Sequence, residues 1–144
     1  MSLYIDTSCL LKLWFPEPEG ARVREVVASE EHVVVSTLAR LEAFVQLHAR
    51  CAGGSLSTRD ARALMRRLDS MLARSPWEVV RTPSEIIDLA EERVRMLAKR
   101  AYCATLDGLH LEIMDVLGLK RLLTNDDTQA AAARHRGFDV TLPR

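Results

Sequence analysis

Three consecutive β-branched residues, Val33-Val34-Val35 between His32 and Ser36, constrain the fold more than any other stretch. A strand with one face in water alternates apolar and polar residues. This run has no polar alternate, so it predicts a strand buried on both faces, as in a parallel sheet covered by helices. Tyr4-Ile5, Trp77 to Arg81, Lys120 to Thr124 and Phe138 to Leu142 read as further short strands, about five in all. Helical-period segments separate every pair of them. That alternation predicts an α/β protein with helices on both faces of a central parallel sheet.

The intervening helices are placed by their breaks. A first helix over residues 9–14 is interrupted by Pro16, Pro18 and Gly20, and a second over 19–29 turns Val23, Val26 and Val27 inward. A third over 38–50 carries Leu38, Leu41, Phe44, Val45 and His48 on one apolar stripe, with Glu42 inside the arc. Gly53-Gly54-Ser55 ends it, and a helix over 57–74 follows, carrying Arg59, Arg62, Arg66, Arg67 and Arg74 against Asp60 and Asp69. Pro83 opens a helix that runs to about Lys99, and Asp107 opens another over 107–117, lined by Leu109, His110, Ile113, Met114 and Leu117. The last helix covers residues 127–136 and stops at Gly137.

At 144 residues the chain is a single domain over 1–144, because Gly53-Gly54-Ser55 is too short for a linker. The absence of an 18-residue apolar run and of a basic-then-apolar leader predicts a cytoplasmic protein without membrane association. Three scattered cysteines, Cys9, Cys51 and Cys103, lack metal-ligand spacing and read as reduced packing residues. Lys and Arg (20) balance Asp and Glu (20), which argues against strong unaided nucleic-acid binding but allows local basic patches.

Acidic residues stand where strands end and helices begin. Asp6 follows the Tyr4-Ile5 strand, Asp107 opens a helix, and Asp126 follows the strand ending at Thr124. Each could be only a helix cap, and Asp126 with Gln129 has capping-box spacing. Four independent caps do not explain an acid inside the apolar arc at Glu42, which otherwise reaches solvent or pairs with Arg40 or Arg50. In a parallel sheet, the carboxyl ends of the strands gather at one edge. Carboxylates about 4 Å apart repel by about 4 kcal/mol at an effective dielectric near 20, and a hard divalent cation relieves that repulsion. Mg²⁺ or Mn²⁺ on such a cluster, beside a basic helix, points to phosphodiester hydrolysis by an activated water.

At these residues the chain resembles the PIN-domain family, and within it the VapC-type toxin ribonucleases. The similar stretches are Tyr4-Ile5-Asp6-Thr7-Ser8 with Leu10 to Trp14 and Pro16-Glu17-Pro18; Ser36 with Glu42; Thr105 to Leu111; and Leu123-Thr124-Asn125-Asp126. The Ala-rich last helix, Gly137 and Pro143 also fit, so the likeness runs end to end. It implies a three-layer α/β/α PIN-like fold and a metal-dependent endoribonuclease. Asp6, Glu42, Asp107 and Asp126 match the acids that bind Mg²⁺ or Mn²⁺ and activate water to cut single-stranded RNA. Ser8 and Thr124 match their polar supports, and Asp127 competes with Asp126 as fourth ligand. Gly108 and Glu112 stand where such proteins more often carry Ala. The resemblance also implies a homodimer and a small VapB-like antitoxin whose C-terminal segment blocks the active groove.

Other readings fit less well. A non-catalytic PIN module binding RNA or protein is the alternative, and the presence of all four acids counts against it. A receiver domain needs a paired acid on the first strand and a Lys after a late strand, whereas Asp6 stands alone and Lys120 precedes its strand. A haloacid-dehalogenase-type phosphatase wants an Asp where Ser8 stands. Trp14, Phe15 and the apolar faces of the early helices exceed what one side of a small sheet needs. Part of this surface, with helices from residues 57–99, is therefore expected to be covered by a partner.

Overall fold

The computed structural model describes all of residues 1–144. In chain order the elements are β1 (Leu3–Ile5), α1 (Thr7–Leu11), α2 (Gly20–Ala28), β2 (Val33–Ser36), α3 (Thr37–Ala52) and α4 (Thr58–Leu72). There follow β3 (Trp77–Val80), α5 (Ile86–Arg95), a 3₁₀ turn (Lys99–Ala101), α6 (Thr105–Val116), β4 (Arg121–Leu123), α7 (Asp127–His135) and β5 (Asp139–Thr141).

The five strands form one parallel sheet in the order β3-β2-β1-β4-β5. The N-terminal strand is central, with Tyr4 in register with Val34 on one side and Leu122 on the other. From β1 the chain steps outward to β2 and β3, then crosses back over β1 to lay down β4 and β5. With right-handed crossovers, reversing the step direction moves the connecting helices to the opposite face. The core divides accordingly. Leu3, Ile5, Val33, Val35 and Leu123 pack with Cys9, Leu10, Val23, Ala39, Ala43, Leu68 and Leu72. Tyr4, Val34 and Leu122 face the other way, onto Ile86, Leu111, Ile113, Met114, Ala132, Ala133 and Phe138. The two-residue period of each strand thus feeds two cores, and the predicted three-layer α/β/α arrangement is what forms.

Several local expectations change. The buried stripe of α3 is Ala39, Ala43 and Leu47, while Leu41 and Val45 are 59% and 54% exposed and His48 is also outside. Small side chains let α3 sit close to the layer beneath it, and hydrophobicity counted without regard to size points to the wrong face. The helix after Pro83 begins three residues later, at Ile86, and ends at Arg95 rather than Lys99; Leu97 then takes a left-handed φ of 52°. Only Ile86 of α5 is buried, leaving Ile87, Val94, Met96 and Leu97 in solvent. Helix α6 starts at Thr105, so Asp107 lies in its first turn and does not cap it. Trp14 and Phe15 pack against the first core, and the Arg50 guanidinium lies 3.7 Å over the Phe15 ring. The exposed large apolar residues are therefore not Trp14 and Phe15 but lie on α3, on α5 and just after it, and at the two ends of α6 (Leu106 and Val116).

Glu112 is accommodated without an apolar neighbour's help. Its carboxylate, 1% exposed, pairs with Arg93 and with Arg136 at 3.1 Å, joining α5, α6 and the end of α7. A carboxylate buried this deeply is tolerated because it has two cationic partners.

Candidate active site

The winding of the chain reverses between β1 and β4, and in open α/β sheets the crevice beyond the strand ends at such a point is where ligands bind. Asp6 leaves β1 there, its backbone N–H donating to the Leu123 carbonyl at 3.1 Å. Its side chain does cap α1. Oδ1 accepts from the Ser8 N–H (2.7 Å), the Ser8 hydroxyl (2.6 Å) and the Cys9 N–H (3.3 Å), while Oδ2 accepts from the Thr124 hydroxyl at 3.1 Å. Burial still pushes the Asp6 carboxyl above its ordinary range, against the pull of those hydrogen bonds. The cap of α1 and the acid at the exit of β1 are the same group.

Ser8 and Thr124 also stitch the exits of β1 and β4 together. The Ser8 hydroxyl accepts from the Asn125 N–H at 3.3 Å, and the Thr124 hydroxyl accepts from the Asp126 N–H at 3.1 Å. Asp126 caps α7, with Oδ1 accepting from the Gln129 N–H at 2.8 Å. The expected capping box is only half made. The buried Gln129 side chain donates instead to the Asp107 carbonyl at 3.2 Å, tying α7 to the first turn of α6. Asp107 is pushed up to about 6, first by burial, then by the charges of Asp126 and Asp6, and to a lesser degree by Glu42. One half-buried carboxyl thus feels the other three acids, which arrive on three other elements. Asp127 does not join them; its side chain is 73% exposed and accepts from Arg144 at 2.7 Å.

Glu42, in the second turn of α3, pairs with neither Arg40 nor Arg50. Its Oε1 accepts from the Thr7 hydroxyl at 3.1 Å and from His110 Nε2 at 2.5 Å. His110 is 1% exposed, and its Nδ1 meets the Tyr4 hydroxyl at 2.6 Å; that hydroxyl in turn meets Ser36 Oγ at 2.8 Å. Ser36 Oγ accepts from the Ala39 N–H at 3.1 Å, capping α3. Sequence reasoning took His110 for one more residue on an apolar helix face and did not single out the Tyr4 hydroxyl. The available signal was the spacing: His110 follows Asp107 by three positions, which puts both on one side of α6.

The donors at this edge are all oxygens, with one Oδ or Oε of Asp126 and Glu42 not engaged by the protein. Asp107, whose proton affinity is raised by burial and by the neighbouring acids, is held among them against repulsion, and a hard divalent cation is the chemistry that resolves it. As the side chains lie, no three His, Cys, Asp or Glu groups enclose a common point. The set therefore suits a cation such as Mg²⁺ that keeps several waters and is reached through one or two carboxylates, not a closed cage. None of Arg59, Arg62, Arg66 and Arg67 on α4, nor Arg74 just after it, pairs with a carboxylate. Arg66, Arg67 and Arg74 line an open depression with Trp14, Ser70 and Met71. No helix is long and apolar enough to cross a membrane.

A family model described as PIN domain matches residues 3–135. Ribonuclease VapC46 of Mycobacterium tuberculosis is 29% identical over 144 residues, spanning 99% of this chain and 98% of the relative. The solved structure of VapC20 from the same organism, described as a sarcin-ricin loop cleaving toxin, superposes with a TM-score of 0.71 at 20% identity, covering 94% and 95% of the two chains. A toxin-antitoxin complex from Klebsiella pneumoniae contains a chain similar at a TM-score of 0.62 and 18% identity, with 100% and 98% covered.

Proposed function

This chain belongs to the PIN-domain family, and we propose that it is a divalent-cation-dependent endoribonuclease, the toxin of a toxin–antitoxin pair. The observation that carries the proposal is the Thr124 hydroxyl bonded to Asp6 Oδ2 at 3.1 Å across the exits of β1 and β4, with Asp126 opening α7 from the same exit; burial and the charges of Asp126, Asp6 and Glu42 accordingly push Asp107 up to about 6. A purely structural role gives no reason to collect four acids there. The end-to-end likeness to Ribonuclease VapC46 supports RNA as substrate, and the toxin-antitoxin complex among its structural relatives supports a small inhibitory partner.

Each acid has its own task in this reading. Asp6 is the fixed anchor, since four donors immobilise it before any ligand arrives. Asp126 and Glu42 each keep one oxygen tied to the protein and offer the other. Asp107 closes the group from α6, positioned through its own carbonyl by Gln129. Together they would hold Mg²⁺ or Mn²⁺, and when bound the cation supplies water activation and stabilisation of the leaving oxygen in phosphodiester cleavage. The unpaired arginines of α4 supply positive charge for the RNA backbone. The apolar surfaces of α3 and α5 are left for a second copy of the chain.

The test compares wild type with Asp6→Asn and Asp126→Asn. Asn still caps a helix, so both variants should melt at or above the wild-type temperature without metal. Both should lose Mn²⁺-induced stabilisation and cleavage of structured RNAs together, because only a ligand bound to the folded state raises stability. Wild-type metal stabilisation and cleavage in both variants would end the proposal.

A further inference from the structure

We infer that His110 is a positioning residue, whose buried imidazole, held by Tyr4 and Ser36, sets the rotamer of Glu42 and presents its free oxygen to the acidic edge. The inference rests on the reading of that edge as a cation-dependent nuclease site.

The hydrogen bonds run in one direction. An ionised Glu42 can only accept, so His110 Nε2 carries the hydrogen in their contact. With the imidazole neutral, Nδ1 accepts, and the Tyr4 hydroxyl donates to it. The Tyr4 oxygen is then free to accept from the Ser36 hydroxyl, whose own oxygen already accepts from the Ala39 N–H. Every donor in the series has one acceptor, and the series terminates at Glu42 Oε1. The Thr7 hydroxyl donates to the same oxygen, so both constraints fall on Oε1 and none on Oε2.

The construction is rigid at its root and open at its tip. Tyr4 and Ser36 lie in the centre of the sheet, both 0% exposed, on the neighbouring strands β1 and β2. Glu42 is on a long, flexible stem, and its side chain remains 19% exposed. Without His110, nothing but the Thr7 hydroxyl holds it. A histidine that orients a carboxylate from behind is the mirror of the familiar carboxylate that orients a ligating histidine, and removing such outer partners typically weakens metal binding 10–100-fold.

The experiment measures Mn²⁺ affinity from the metal-dependent melting of the full chain, together with kcat and KM for RNA cleavage. It uses wild type, His110→Met, His110→Gln, Tyr4→Phe and Glu42→Gln, and the double variant His110→Met/Glu42→Gln. His110→Met keeps bulk but donates nothing, and Mn²⁺ affinity should fall about tenfold, with kcat falling and KM for RNA unchanged. His110→Gln retains an N–H toward Glu42 and should recover most of that loss. Tyr4→Phe leaves the imidazole in place but unanchored, so it should shift Mn²⁺ affinity several-fold in the same direction even if His110→Met folds poorly. In the Glu42→Gln background, His110→Met should cost no further affinity, because the two act as one unit. Wild-type Mn²⁺ affinity in both His110→Met and Tyr4→Phe, or an equal loss with and without Glu42, overturns the inference while leaving the nuclease reading intact. A wild type that neither binds Mn²⁺ nor cuts RNA overturns both.

Discussion

Replacing Asp107 by Asn should make the metal-free protein more stable, and only above mildly acidic pH. In the folded chain its carboxyl is lifted from an ordinary 3.8 to about 6. At roughly 1.4 kcal/mol per pKa unit, two units correspond to about 3 kcal/mol of charging cost at pH 7.5. The group is half-buried, and a carboxylate in the first turn of α6 gains about 0.5 kcal/mol from the helix dipole, so a net gain of about 1–2 kcal/mol is expected for Asn. For a chain of this size that is roughly 3–6 °C in Tm. Because the folded-state value is the higher one, the folded protein binds the extra proton between about pH 4 and 6, and the wild type loses stability as pH rises through that window. The variant lacks this loss, so the difference between them should vanish near pH 4 and level off above pH 6.5. Thermal melts across pH 4–7.5 with chelator present measure it directly. Adding Mn²⁺ at pH 7.5 should close the gap by stabilising wild type more. A pH-independent difference, or a variant less stable than wild type at pH 7.5, would refute the view of Asp107 as one acid among four in mutual repulsion.

Glu112→Ala should cost about 3 kcal/mol in urea denaturation, since it strands the buried Arg136 and releases Arg93; a cost below about 1 kcal/mol would show the pairs to be dispensable. Changing Arg62, Arg66 and Arg67 to Gln should weaken RNA binding and flatten its salt dependence while leaving Mn²⁺ stabilisation unchanged; identical binding across a salt series would return α4 to an ordinary solvated face. Leu41→Glu with Val94→Glu should change monomer stability by no more than about 0.5 kcal/mol but shift the mass in light scattering from dimer to monomer. A wild type that is already monomeric would remove the case for these faces as the contact.

The layout of the molecule was legible where a pattern had one physical solution. A run of three valines has no solvent face, and the acids at strand ends had to gather once the sheet was parallel. What escaped was decided by neighbours the chain brings from afar. The inward side of α3 is set by how closely Ala39 and Ala43 approach the layer below, which a count of large apolar residues cannot show. Glu42 stood out as an acid within an expected apolar arc, whereas the buried stripe of α3 is elsewhere and the partner of Glu42 lies 68 positions away, on α6. Asp6 and Asp126 looked like caps because they are caps, and a cap geometry leaves room for a second task. Gln129 has capping-box spacing and uses it for another purpose, since the Asp107 carbonyl offers its side chain a buried acceptor.

The central place of β1 also bears on how the acidic edge assembles. Asp6 leaves β1, yet its Oδ2 accepts from Thr124, 118 positions away, and the strand that supports it on that side is β4. Closing so long a loop costs chain entropy before any contact repays it, so pairing of this kind is slow to form. The edge therefore has no local precursor: neither the segment around Asp6 nor the segment around Asp126 can build it alone, and it forms with the fold rather than ahead of it.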